Sequence, residues 1–311
     1  MFRLVKIAVS ASLIGVLVWK ADWRSLAANI GDLDSLVFTL ALAALVLQYP
    51  LSAWKWQFSL RMHSIEYSYW YLLRVLCIAF FFNNFLPTAI GGDAYRAYRT
   101  TQRARRKVLA LSAVLVERLV GLLALLFLGY LCAIYLVVNG DVEHEGWLVV
   151  ILVAASGGMM LLALLWKIGF LAKAIDRLTA IPKLEPLRNS LQTVFNNRQH
   201  SAGLVGVSIL SQATAIVAIW LLFAALGTQG AFAQSGFTAA AAGVAGILPV
   251  SINGIGVVEG SFVAAAWESG LPADKAIVVA LFLRAFMLAS SVVFGLIYAA
   301  EPRGERLVAP E

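Results

Sequence analysis

Long apolar runs separated by short polar loops dominate the chain. The runs at 3–20, 36–58, 108–138, 147–166, 201–227 and 275–300 come close to or exceed the roughly 20 residues that cross a bilayer as a helix. Two further apolar stretches are interrupted. The run 70–87 leads into Asn83-Asn84-Phe85-Leu86-Pro87-Thr88-Ala89-Ile90-Gly91-Gly92-Asp93-Ala94-Tyr95-Arg96. The run 231–249 leads into Pro249-Val250-Ser251-Ile252-Asn253-Gly254-Ile255-Gly256-Val257-Val258-Glu259. Peptide groups in hydrocarbon must find partners within the protein, so a helix breaks at membrane depth only where protein buries it or where it lines a polar cavity. The breaks at Pro87 and Pro249 therefore mark special sites.

Charge fixes the expected orientation, because short cytoplasmic loops retain Lys and Arg. Lys55 and Arg61 mark the inner face after 36–58, and Arg303 and Arg306 mark it after the last run. The densest basic cluster, Arg96, Arg99, Arg103, Arg105, Arg106 and Lys107, follows 70–87 and belongs inside too. So 70–87 and 93–105 are predicted to enter and leave from the cytoplasm as a re-entrant hairpin. The acidic loop Asp141 to Glu145 is predicted outside. For the last helix to run inward, 231–272 must form a second hairpin, opening outward. Both termini are then cytoplasmic. The rival topology is eight plain spans.

The predicted fold is an all-α polytopic membrane protein, one integral domain over 1–311, with six spanning helices and two re-entrant helical hairpins. Units 36–138 and 201–300 have opposite orientation, as in the inverted repeats of many transporters. Segment 167–200 carries Lys and Arg on one side and apolar residues at helical spacing on the other, and is predicted to lie on the inner leaflet as amphipathic helices. A calmodulin-type target helix is its alternative.

Composition agrees: 61% of the 311 residues are hydrophobic, 13% are charged, and the mean hydropathy is +0.84. The net charge of +7 sits in loops beside apolar runs and does not indicate nucleic acid. Cys77 and Cys132 lie within apolar runs as packing residues, and three scattered histidines offer no metal site. Gly254 to Glu259 superficially resembles a dinucleotide fingerprint but has no strand or βαβ context. No nucleophilic triad spacing occurs. No cofactor and no enzymatic activity are expected.

The charges inside the apolar runs are the candidate chemistry. Arg118 and Arg284 each lie near mid-membrane depth in corresponding helices of the two units. An intramembrane arginine costs at least about 2.5 kcal/mol, so it faces a cavity or a partner. Glu117 adjoins Arg118 but points about 100° away around the helix. Gly91, Gly92, Gly254 and Gly256 permit close backbone approach at the hairpin tips, where helix N-termini favour anions. Arg96 is placed to join such a site, with Asp93 and Glu259 holding either the arginines or a cationic part of a ligand. The bland alternative is that these charges form buried ion pairs holding the halves together, with Asp93 capping its helix. Asn83, Asn84 and Asn253 satisfy freed backbone or contact ligand; the sequence weighs these evenly.

Taken in order, Leu86 to Arg96, Glu117-Arg118, Pro249 to Glu259 and Arg284 resemble the transmembrane region of lysylphosphatidylglycerol synthases, a flippase-like domain, over nearly the whole chain. In the best-known relatives this domain precedes an aminoacyl-transfer domain and moves the modified phospholipid to the outer leaflet. The chain is expected to be a stand-alone member without the synthase domain. The resemblance implies lipid translocation through Asp93, Arg96, Glu117, Arg118, Glu259 and Arg284, in a bacterial-type cytoplasmic membrane. The partner is then a lipid with an anionic headgroup, a phospholipid or a polyprenyl-linked lipid. The alternative function is a non-transporting scaffold or regulator of a lipid- or glycan-modifying enzyme. A small-ion or solute transporter ranks third, because the spans hold no dense carboxylate relay.

Overall fold

A computed structural model describes residues 33–85, 91–101, 107–139, 198–228, 231–247 and 251–300. The expected spans 3–20 and 147–166, the breaks at Pro87 and Pro249, the loop at 141–145, most of the basic cluster and nearly all of 167–200 lie outside the described residues.

The described residues form eight α-helices and no strand. In chain order they are α1 (Ser35–Met62), α2 (Tyr69–Phe85), α3 (Gly91–Thr100), α4 (Lys107–Asn139), α5 (Arg198–Ala225), α6 (Phe232–Ile247), α7 (Val257–Glu268) and α8 (Ala273–Ala300). A single 3₁₀ turn, Ile252–Gly254, precedes α7. Four helices are long and apolar enough to cross a membrane: Ser35–Met62, Leu109–Asn139, Gln199–Ala225 and Ala273–Ala300. Asp34 starts α1 by accepting from the amides of Leu36 (3.0 Å) and Val37 (3.2 Å), which satisfies two of the otherwise orphaned donors.

The order long, short, short, long occurs twice, as α1–α4 and as α5–α8. The packing is reciprocal: α4 lies against α6, and α8 against α2. Between them, α1 and α5 form the most extensive helix–helix contact. There Gln48 and Ser211 exchange two hydrogen bonds of 3.1 Å. Small residues set the α4–α6 approach. A side chain at Gly236 would collide with Cys132, one at Gly129 with Ala240, and one at Gly243 with Leu125. Such contacts let helices associate where lipid supplies no hydrophobic driving force. The apolar residues that remain exposed, among them Phe127, Leu131 and Val138 on α4 and Val293 and Leu296 on α8, suit contact with acyl chains.

The tip of α2 is tied in two directions. Asn83 Oδ1 accepts from the Gly92 amide at 2.8 Å, joining α2 to α3. Asn84 donates to the Ser291 hydroxyl on α8 and accepts from Asn253 Nδ2 at 2.7 Å. Asn253 sits in the left-handed region at φ 51°, followed by Gly254 at 71° and Gly256 at 84°. The chain thus turns sharply into α7, and asparagine and glycine are the residues that tolerate this backbone.

Candidate functional site

Five charged side chains from three helices form one alternating chain. Lys55 Nζ on α1 meets Glu117 Oε1 on α4 at 2.7 Å. The other oxygen of Glu117 accepts from Arg96 Nη1 on α3 at 3.0 Å. Arg96 Nη2 then donates to Asp93 Oδ1 at 2.7 Å, and Asp93 Oδ2 meets Arg118 Nε at 2.6 Å. Arg96 also lies over the Trp56 ring, 5.1 Å from its centroid. Each carboxylate bridges two cations, so a cation stands at both ends of the chain.

Burial differs sharply along it. Lys55, Arg96, Glu117 and Asp93 are all buried, whereas the Arg118 side chain is 50% exposed. Only one nitrogen of its guanidinium is engaged by the described residues. It projects into a cavity of about 810 Å³ lined by α1, α2, α3, α4, α5 and α6. Lys55, Asn83, Asp93, Arg96, Glu117 and Gln212 supply polar lining, and Leu111, Leu115, Leu119 and Ile247 supply an apolar margin. Those four apolar residues are themselves exposed, so the cavity opens between outward-facing leucines of α4 and the end of α6. A buried polar floor and an exposed apolar margin thus share one opening.

The second unit repeats a simpler version. Asp93 and Glu259 occupy the same position from the start of α3 and of α7, and Arg118 and Arg284 the same position from the start of α4 and of α8. In both units the arginine Nε engages that carboxylate. Lys55, Arg96 and Glu117 are the elaboration that belongs to the first unit. Glu259 spends its other oxygen on the Gly256 amide at 2.7 Å, closing the start of α7.

The predicted residues therefore fall into two groups. Asp93, Arg96, Glu117 and Arg118 line the cavity together. Glu259, Arg284, Asn253, Gly254 and Gly256 do not appear in its lining. Arg96 was expected to reach toward a ligand, but it is buried between two carboxylates. Gly92 and Gly256 were expected to offer their amides to a ligand, but those amides are bonded to Asn83 and Glu259. Gly92 serves helix packing: a Cβ there would lie 2.6 Å from Asn83 Cγ and closer still to the Ala79 carbonyl. Asn253 contacts Asn84, so the internal reading of the tip asparagines holds for that pair. Gly91 opens α3, and no contact of its own is described.

Two participants escaped the sequence reading. In the sequence Lys55 stands with Arg61 as a positive charge marking the inner face after 36–58. It is 7% exposed and paired to Glu117, with Gly121 one helical turn beyond making room for it. Gln212, whose Nε2 donates to the Gly121 carbonyl at 3.0 Å, carried no signal beyond being polar in an apolar run.

The sequence model of a family described as the lysylphosphatidylglycerol synthase TM region matches residues 3–295. No curated protein matches the chain.

Proposed function

From a chain that belongs to the lysylphosphatidylglycerol synthase transmembrane-region family, and so to proteins with a membrane lipid-related role, we infer a non-catalytic translocator of lipid headgroups. The observation that carries this reading is the cavity itself. Its floor holds a half-exposed arginine anchored on buried charges, and its margin is made of exposed leucines and Ile247. A phospholipid or polyprenyl-linked lipid has the matching amphiphilic shape. Its anionic headgroup engages Arg118 by charge-assisted hydrogen bonds while its tails remain among Leu111, Leu115 and Leu119. A solute or small ion has no use for the apolar margin.

In this reading α2–α3 and α6–α7 are re-entrant hairpins that enter from opposite faces of a cytoplasmic membrane, within six spans and with both termini inside. The reciprocal packing and the paired carboxylate–arginine contacts support an inverted repeat. Rocking of one unit against the other exposes the cavity to alternate leaflets. Cysteines at Tyr98 and Glu268 test the orientation: the first is expected to label from inside and the second from outside.

One observation favours the scaffold reading for part of the molecule. The Glu259–Arg284 pair joins α7 to α8 away from the cavity lining, as a structural tie would. Transport by purified protein separates the two readings. In vesicles carrying tail-labelled lipids of several headgroup classes, at least one class is expected to cross faster than in protein-free vesicles. If none does, the translocator reading fails and the scaffold reading stands.

A further inference from the structure

The charge sum around the cavity says what kind of headgroup it takes. Among the described residues that line it, Lys55, Arg96 and Arg118 are cations and Asp93 and Glu117 are anions. The cluster thus carries one surplus positive charge. Four of the five groups are buried, and each of the two carboxylates already bridges two cations. The surplus is therefore felt at Arg118, the half-exposed end of the chain with donors to spare. An unbalanced charge is expensive where water is scarce, so the occupied site is most stable when its ligand brings the sum to zero.

We propose that the cavity selects a headgroup with one net negative charge, a phosphodiester, and that Lys55 is the residue that sets this number. The proposal rests on the lipid-translocator reading above and goes further by naming the ligand's charge and a specificity-determining residue. Without Lys55 the described cluster is neutral, Glu117 still has Arg96, and a phosphodiester has no surplus charge to answer. With Lys55 in place, a zwitterionic headgroup leaves the surplus unanswered. A headgroup that bears an added lysyl group brings a second surplus positive charge. An aminoacylated phospholipid is thus disfavoured here, although the family's description refers to its synthesis.

Lys55 touches Glu117 and lies at the buried end of the chain, so it acts through the cluster's total charge as a positioning residue. One unit charge at about 10 Å and an effective dielectric near 20 changes relative affinity by about tenfold or somewhat more. The test uses the full chain in vesicles with tail-labelled phosphatidylglycerol (net −1), phosphatidylethanolamine (net 0) and lysylphosphatidylglycerol (net +1). Phosphatidylglycerol is expected to cross about tenfold faster than phosphatidylethanolamine and, two unit charges away, about a hundredfold faster than lysylphosphatidylglycerol. Lys55→Met, which leaves the cluster neutral, is expected to move the lead from phosphatidylglycerol to phosphatidylethanolamine. Asp93→Asn, which adds a second surplus charge while Arg96 keeps Glu117, is expected to shift preference toward phosphatidic acid. A purely structural role would depress all lipids together, so opposite shifts in preference from the two variants distinguish selection from damage, and either variant alone suffices if the other does not fold.

Equal rates for the three lipids, or a lead for the lysylated one, would overturn the proposal while leaving translocation intact. A binding arm separates the source of the anion. Short-chain phosphatidylglycerol, titrated calorimetrically into detergent-solubilised protein, is expected to bind with Lys55-dependent affinity, and inorganic phosphate is expected to bind far more weakly. If inorganic phosphate binds equally well and no lipid crosses, the anion site survives and the lipid reading fails. If neither binds, the proposal is refuted.

Discussion

Replacing Gly92 with alanine tests the packing that positions the cavity's charges. The α3 N-terminus approaches α2 so closely that an added Cβ would sit 2.6 Å from Asn83 Cγ, and nearer to the backbone oxygen of Ala79. Ordinary carbon contacts lie at about 3.5–4.0 Å, so α3 must retreat by roughly 1 Å. Backbone cannot rotate out of the way as a side-chain tip can. Overpacking of this kind costs about 1–3 kcal/mol. The retreat also stretches the 2.8 Å bond from the Gly92 amide to Asn83, and leaving a shielded amide unmade costs about 1–3 kcal/mol. The gain in helix propensity from Gly to Ala offsets up to about 1 kcal/mol. At the middle of each range the net loss is about 3 kcal/mol, a fall in unfolding midpoint of about 6–12 °C at fixed scan rate in detergent. Because Asp93 and Arg96 move with α3, transport falls as well. Gly206 is the control: nothing lies within 4 Å of its added Cβ, so Gly206→Ala should melt at or slightly above the parent temperature. A Gly92→Ala protein that melts with the parent would refute the reasoning.

Four further outcomes follow from other contacts. Glu117→Gln removes the bridge between Lys55 and Arg96 and should cost about 3–5 kcal/mol in thermal unfolding, with Lys55→Met restoring part of the loss in the double variant. Arg284→Ala unpairs the buried Glu259; it should lower the melting temperature while leaving the lipid preference of the residual transport unchanged. Asn84→Ala deprives Asn253 and Ser291 of their partner and should destabilise the protein by about 1–3 kcal/mol, measured by the same melts. Beyond the end of α1, burial pushes the His63 imidazole down, while its Nδ1–H bond to the Ser59 carbonyl pulls it up. A depressed histidine contributes stability that is intact above about pH 6.5 and is lost as pH falls below it, so melts at pH 7.5 and 5.5 should differ, and His63→Gln should shrink the difference.

Much of this architecture is legible in the hydropathy pattern, because a spanning helix must be apolar over its length and any charge inside it must be answered. That logic singled out Asp93, Arg96, Glu117 and Arg118, and their assembly around one cavity follows from it. It does not say who pairs with whom. Glu117 and Glu259 look equivalent as lone acids in apolar runs. One bridges two cations beside a cavity and the other caps its own helix, a difference made by helices distant in sequence. Lys55 reads as an orientation charge because the charge pattern alone does not distinguish a lysine at an interface from one paired inside a buried network. Gly91-Gly92 reads as backbone open to ligand, yet a glycine that lets a ligand approach and one that lets a helix approach are the same letter. Only the Ala79 carbonyl and Asn83 side chain decide the case for Gly92.

The central claim is that headgroups cross through the cavity at Arg118. The most direct measurement is lipid transport by vesicle-reconstituted Arg118→Gln, alongside a melt of the same preparation. Arg118 is the exposed end of its cluster, and Asp93 keeps Arg96 when it is removed, so the melting temperature should hold within a few degrees. Transport should fall about tenfold or more, as expected when a charged contact to the moving headgroup is lost. A protein that melts normally and moves lipid at the parent rate would contradict the account.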